Sequence, residues 1–327
     1  MGVTHFPQGI TSFGMPVFGA GLMPSQGKVI HCKPYSGLDG NDGLSSETAI
    51  KTLTKALALA TANQNDIVLL YAESNTAAST FDMMTVALDW NKDAVHIVGV
   101  CAGNFIGQRA GLRMATSTTA VTDMFTISAN DCLIANIQIF QGDYTLASGS
   151  PRALVVSGMR NKFVNCHISG AGDTGGSMDV AGARSLAVTG AENCFQHCYI
   201  GLDTVIRGTM TTEVYLTTGA RNTFEDCVFD SYTSLSTFKA ITVGASDRFV
   251  LFKNCMFNAV QNITSAVAPT GAIASGSVNG SVLLFNCGVF GYADVTTADD
   301  TKTLQLSMSG LAANVVDQGV AKGTDVA

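Results

Sequence analysis

The stretch Val156-Ser157-Gly158-Met159-Arg160-Asn161-Lys162-Phe163-Val164-Asn165-Cys166-His167-Ile168 decides the fold, because it recurs along the chain. It returns as Val188-Thr189-Gly190 followed by Asn193-Cys194-Phe195-Gln196-His197-Cys198-Tyr199-Ile200. It returns again as Thr218-Gly219 followed by Asn222-Thr223-Phe224-Glu225-Asp226-Cys227-Val228-Phe229. Shorter copies are Phe252-Lys253-Asn254-Cys255-Met256-Phe257 and Leu284-Phe285-Asn286-Cys287-Gly288-Val289, and an earlier one, Ile134-Ala135-Asn136-Ile137-Gln138-Ile139, has Ile in the Cys position. Successive Cys positions (137, 166, 198, 227, 255, 287) lie 29, 32, 29, 28 and 32 residues apart.

Each copy reads as a short strand ending at Gly, a turn, a strand carrying Phe or Leu, a bend at Asn, Asp or His, and a strand Cys-x-Ile/Phe. Side chains alternate along a strand, so Phe163 and Ile168 both reach the interior only if the bend at Asn165 resets the register. Asn suits that bend, since it tolerates the left-handed conformation and its amide can bond to the Asn of the next copy. Units that cannot bury an apolar face alone do so by stacking. The expectation is an all-β, right-handed parallel β-helix, in which about eight to ten rungs at about 4.8 Å make a rod roughly 40–50 Å long.

Along the whole chain four segments are expected: an extended arm over 1–27, a strand, turn and capping α-helix over 28–66, the β-helix over 67–292, and a cap or contact segment over 293–327. Ala49, Ile50, Leu53, Ala56, Leu57 and Ala60 fall at helical spacing after a cap near Ser45 or Ser46. Such a helix can plug the open apolar end of a solenoid. Asp39, Asn41 and Asp42 either shape the preceding turn or ligate Ca²⁺, but the spacing lacks the distal Glu of an EF-hand. The arm carries Phe6, Ile10, Phe13, Val17 and Phe18 with no charged side chain before Lys28, so it is expected to lie against a partner.

Charged residues are only 13% and hydrophobic ones 46%, so small polar and apolar residues must cover much of the surface. The net charge of −7 argues against a nucleic-acid partner, and no apolar run reaches the length of a membrane span. The start, Met1-Gly2-Val3-Thr4-His5-Phe6, lacks the features of a secretion signal, so synthesis in a cytoplasm with reduced thiols is expected. The nine cysteines read as small core residues rather than a metal or redox array, since steps near thirty residues match no ligand set.

Ser36-Gly37-Leu38-Asp39-Gly40-Asn41-Asp42-Gly43-Leu44-Ser45-Ser46-Glu47-Thr48-Ala49, with its helix and repeated Asn-Cys strands, resembles the opening of pectate-lyase-like β-helix proteins over roughly residues 28–292. The leading Val3-Thr4-His5-Phe6-Pro7-Gln8-Gly9-Ile10 and Phe13-Gly14-Met15-Pro16-Val17-Phe18-Gly19 resemble the arm of bacteriophage head-associated proteins of that fold. The resemblance implies a structural virion protein: a capsid decoration or head-fibre protein, a homotrimer, bound to the major capsid protein or another virion protein through the arm.

Chemistry is harder to find. Val155, Ser157, Ala187 and Thr189 are inert outward positions, and Lys162, Gln196 and Glu225 are scattered. Asp173 and Asp179 in a Gly-rich loop, with Glu213 and Asp230 near neighbouring rungs, are the carboxylates that loops can pair. Gly170-Ala171-Gly172-Asp173-Thr174-Gly175 matches a dinucleotide fingerprint by letter without the helix it needs. His5, His31, His96, His167 and His197 have no motif spacing. No catalytic residue, cofactor or metal is therefore assigned, and the chain is expected not to be an enzyme. In Cys-x-Ile/Phe the middle residue points outward, and Tyr199, Val228 and Met256 mark either a loop-covered patch or a subunit interface. Two other readings stay open: a tailspike or tail-fibre component that binds or cleaves a host surface polysaccharide, and a cellular β-helix lyase or adhesin.

Overall fold

The computed structural model describes residues 11–12, 15–16, 27–73, 81–115, 120–142, 148–172, 178–244, 249–259, 267–275, 281–296, 303–306, 309–312 and 315–316. Phe6, Ile10, Phe13, Val17 and Phe18 lie outside these. Apart from a short antiparallel pair, Thr11–Ser12 with Met15–Pro16, the described strands build three sheets of ten, ten and seven strands. Sheet I runs from Val29–Cys32 to Thr303–Leu306, sheet II from Phe81–Met84 onward, and sheet III from Leu88–Trp90 to Ile273–Ser275. Neighbours within each sheet come from successive turns of the chain and run parallel, except for a final antiparallel pair in sheet II. That is a parallel β-helix, and its register is the one the repeat predicts: Phe163 pairs with Phe195, Phe195 with Phe224 and Phe224 with Phe252. Strands Thr303–Leu306 and Ser309–Ala312 add to sheets I and II, carrying the solenoid on past residue 292.

One residue makes the corner between sheets I and II. Asn136, Asn165, His197, Asp226, Asn254 and Asn286 have φ of 57°, 50°, 52°, 54°, 54° and 51°, all left-handed. Asn165 Nδ2 donates to Asn136 Oδ1 at 2.9 Å, and Asn286 Nδ2 to Asn254 Oδ1 at 2.9 Å. A second, buried ladder stands at the entry to sheet I. Asn161 and Asn193 each accept a backbone N–H from the rung before, and their amides donate to the carbonyls of Ala129 and Gly158. Glycine precedes this turn for a steric reason: a Cβ on Gly190 would lie 1.8 Å from the Gly158 carbonyl oxygen.

Inside, Phe163, Phe195, Phe224 and Phe252 form a stacked file with centroid spacings of 4.5, 4.6 and 5.0 Å. Cys166, Cys198, Cys227, Cys255 and Cys287 are buried free thiols beside it, each donating to a backbone carbonyl. Burial pushes the Cys166 and Cys227 thiols up, which keeps them protonated.

The helix α1 spans Leu53–Leu59, later than the apolar spacing predicts, with Thr52 as its cap. The residues before it are committed elsewhere. Ile50 joins sheet I, accepting from Lys33 N and donating to His31 O. Asp39 accepts from Lys51 N, Thr52 N and Thr52 Oγ1, and Asp42 from Leu44 N and Thr48 Oγ1. These carboxylates hold the turn. Leu53, Ala56 and Leu57 then pack onto the end of the core, as a plug requires.

Asp82 points into this end and accepts the Leu53 N–H at 2.7 Å. Burial raises its carboxyl to about 6. A carboxyl raised on folding binds its proton more tightly in the native state, so its stabilising contribution is complete below about pH 4 and is lost towards pH 6. Over that window the native protein is expected to lose on the order of 2–3 kcal/mol from this group. Urea titrations at pH 4 and pH 6 check this, and Asp82→Asn is expected to flatten the difference.

Candidate functional site

The residues of sheet II that point away from the core stand in two columns. Register places Phe81, Gly111, Gln138, His167, Tyr199, Val228 and Met256 in the first. Met83, Arg113, Phe140 and Ser169 begin the second, and Gly201, Asp230 and Asn258 continue it. At the Phe81 end the columns floor an open groove of about 420 Å³, with Asn104, Ile106, Gly107, Arg109, Arg113, Gln138 and Phe140 also lining it.

Farther along, the segment 101–110 folds over the face. Phe105 meets the Tyr199 ring edge-on with centroids 5.8 Å apart, and Gln108 Nε2 donates to the Asn165 carbonyl at 2.7 Å. Gly107 N–H donates to His167 Nδ1 at 3.2 Å, so that nitrogen is unprotonated and Nε2–H faces the Gly201 carbonyl at 3.3 Å. Burial holds the imidazole below its usual range, favouring this neutral form. Tyr199 is thus occupied within the chain, covered by Phe105 and bonded through its hydroxyl to Asp230. Val228 is half-buried, and Met256 is 37% exposed.

Beneath the corner between sheets II and III lies a polar cluster. Glu213 projects from the sheet III strand Thr212–Leu216, and Arg207 ends the strand Tyr199–Arg207. Both are fully buried, with Arg207 NH2 3.5 Å from Glu213 Oε1. Arg207 NH2 also donates to the Gly170 carbonyl at 2.8 Å, NH1 donates to Ala171, and the Ser185 hydroxyl donates to Glu213. Asp230 accepts from Tyr199 and, at 3.1 Å, from Asn258 Nδ2. Burial raises the Glu213 carboxyl, with the Asp230 charge adding to it and Arg207 opposing. Burial likewise raises Asp230, aided by the Asp203 charge and opposed by the Tyr199 hydroxyl.

Of the four carboxylates named from sequence, Glu213 and Asp230 lie near this corner, Glu213 bonded to Ser185 and Arg207 and Asp230 to Tyr199 and Asn258. Asp179 instead accepts the N–H groups of Gly208, Thr209 and Met210, and Asp173 lies outside the described residues. The letters of the glycine fingerprint serve the same corner, since the Gly170 and Ala171 carbonyls receive Arg207. Sequence reasoning passed over Arg207 and Arg113, and gave His167 no motif role. Arg207 carried one signal, a charged side chain inside an otherwise apolar strand-like run, Tyr199-Ile200-Gly201-Leu202-Asp203-Thr204-Val205-Ile206-Arg207.

No family model matches the chain, and no curated protein matches it. Solved structures do. A pectin methylesterase from carrot is 12% identical with a TM-score of 0.59, over 92% of this chain and 89% of that one. The pectin methylesterase PemA from Erwinia chrysanthemi is 15% identical with a TM-score of 0.55, over 89% and 92%. The pectate lyase Pel9A is 10% identical with a TM-score of 0.50, over 87% and 81%. The expectation that the chain is not an enzyme is corrected by these structures, which are themselves enzymes. Glu213 and Asp230, whose neighbourhood could not be read from the linear spacing, come from two sheets and feel each other's charge. At these identities the likeness is one of architecture: the chain has the pectate-lyase-like right-handed parallel β-helix fold of the pectin methylesterases and pectate lyases.

Proposed function

We propose that the protein binds or cleaves a polysaccharide along the outer face of sheet II. The observation that carries this is the outer face of sheet II, open as a groove at the Phe81 end, roofed by segment 101–110 over His167 and Tyr199, and holding the Asp230 carboxyl about 25 Å farther along at the strand spacing of a β-sheet. Phe140, Asn104 and Gln138 offer the groove an apolar surface and amides, the combination that recognises a sugar ring. Asp230, raised from its ordinary value by burial, keeps its proton to higher pH, the state a carboxyl needs to donate to a leaving oxygen once its bonds from Tyr199 and Asn258 are released. Glu213, with no exposed surface, positions this corner rather than touching a polymer. The names of the similar solved structures, pectin methylesterase and pectate lyase, support a polysaccharide as the ligand class.

The test is incubation with a panel of neutral and acidic bacterial surface polysaccharides, following retardation in affinity gels and release of reducing ends. At least one polymer is expected to be retained. If it is also shortened, Asp230→Asn is expected to slow cleavage about 10²–10⁴-fold while retention persists. A panel that is neither retained nor shortened sinks the reading.

The same proposal places the protein on a bacteriophage particle, held by the uncharged arm 1–27 to the major capsid protein or another virion protein, as a homotrimer. Its support is the arm's composition and its resemblance to phage head-associated proteins. Val228 and Met256 are the accessible residues of the apolar column that such packing would use. Immunogold labelling of particles and sedimentation of the purified chain test location and trimer separately.

A further inference from the structure

We infer that residues 101–110 form a lid over the middle of the sheet II face, latched by His167 and released in acid, and that its release joins the groove at the Phe81 end to the stretch holding Tyr199 and Asp230. The polysaccharide reading enters only for what the opened face receives; the latch rests on its own contacts. The segment is lightly held. Among the described residues, no backbone-to-backbone hydrogen bond reaches 102–109. Its ties to the face each use a side chain: Phe105 on the Tyr199 ring, Gln108 Nε2 on the Asn165 carbonyl, and the Gly107 N–H on His167 Nδ1. Phe105 and Ile106 stay exposed even while the segment is down, so little apolar burial anchors it. Gln108 Oε1 is buried with no partner among the described residues, which further weakens the closed position. A segment with few buried contacts and few backbone bonds opens at low free energy.

His167 ties the opening to a proton. The Gly107 N–H and Gln138 Nε2 both approach its Nδ1, at 3.2 Å each. A ring nitrogen accepts only while it carries no proton. Once protonated, Nδ1 is a donor, and it faces the Gly107 N–H donor against donor. Gln138, on the preceding rung, can turn its amide and offer Oε1 to the new N–H, whereas a backbone N–H cannot change role. The neutral ring is therefore bonded to the lid and the charged ring to the floor. Burial holds the ring below the usual histidine range, against the Gly201 carbonyl and the Asp203 charge, which both favour the imidazolium. On the next rung Tyr199 is bonded through its hydroxyl to Asp230, and the lid itself brings Arg109, which lines the groove. Uncovering the ring returns it towards its ordinary value. The closed state thus prefers the neutral ring, and the open state gains as pH falls below about 6.5.

The experiment is hydrogen exchange of the Gly107 amide in the full chain at pH 7.5 and pH 5, each rate taken relative to the intrinsic rate at that pH. Protection is expected to fall by about tenfold per pH unit below about 6.5, until the latched ring itself titrates, while the Ile168 amide keeps its protection. His167→Gln keeps an acceptor but cannot titrate, and is expected to show the same Gly107 protection at both pH values. Phe105→Ala, at an exposed position, is expected to lower that protection about two- to tenfold at both pH values with the melting temperature unchanged. Should His167→Gln not fold, the ring titration of His167 serves instead: its midpoint is expected to rise in Phe105→Ala, because the open state gains weight. Equal Gly107 protection at the two pH values, a pH response that survives in His167→Gln, or a midpoint unmoved by Phe105→Ala overturns the latch. A polysaccharide retained equally at both pH values by a protein whose lid opens overturns the joining of groove and Asp230. A lid that opens in acid on a protein that retains no polysaccharide leaves the latch standing while the polysaccharide reading falls.

Discussion

Replacing Phe224 by alanine is expected to lower the unfolding free energy by about 3–5 kcal/mol. Phe224 is fully buried, stacked on Phe195 with ring planes 7° apart and on Phe252 with planes 12° apart. It also meets Phe229 edge-on at 5.6 Å, so the vacated volume is walled on three sides by aromatic rings. Those rings belong to strands whose register is held by backbone hydrogen bonds, and collapse into the cavity would break that register. A solenoid is stabilised between neighbouring rungs, so a weakened central rung also loosens the coupling of the two halves. Urea titration is expected to show a lower midpoint and a broader transition. Phe249→Ala is the control: that side chain is 38% exposed, and its removal is expected to cost well under half as much.

The second large effect is expected from Arg207→Met, about 3–5 kcal/mol at neutral pH. The side chain has no exposed surface, and its loss leaves Glu213 and the Gly170 and Ala171 carbonyls without their cation. Glu213 is already raised by burial, and without Arg207 it is raised further. A raised carboxyl is favoured in its protonated form on folding. The defect is therefore expected to be smallest below the unfolded carboxyl range, near pH 4, and to grow as pH rises. The double variant Arg207→Met/Glu213→Gln removes both charges, and much of the lost stability is expected to return. A double-variant cycle measured at two pH values checks both statements. If the single variant is equally destabilised at pH 4 and pH 7, the ion pair is not the source.

The parts of the fold that could be read from the chain are those set by each residue's own conformational preferences. Asn136, Asn165, Asn254 and Asn286 sit at left-handed corners because few residues other than glycine tolerate that geometry. The Phe file follows, since a fixed corner on every rung puts Phe163, Phe195, Phe224 and Phe252 in one register. The start of α1 could not be read this way. Ala49 and Ile50 fit a helical stripe, but Ile50 gains more by bonding to His31 and Lys33 at the edge of sheet I. Local spacing does not reveal that competitor.

The site was less legible than the fold. Glu213 and Asp230 come from strands of different sheets, and the chain between them passes through a full corner of the solenoid. Tyr199, which the repeat places outward, is covered by Phe105 from a segment that leaves the helix three rungs earlier. Loops of irregular length carry no period, so nothing in the spacing says what they will cover.

The sequence by itself therefore determined the repeating rung, its corners and its apolar interior, because these depend on backbone conformation and burial at fixed positions in each copy. Only the tertiary structure decided which outward residues stay open and which are roofed over. It also decided that Arg113 would be held between Phe81 and Phe140, and that Arg207 would reach Glu213 inside the corner. The first contact joins strands of neighbouring rungs and the second spans the corner between two sheets, and their energies come from desolvation and charge at places that exist only once the rungs have stacked.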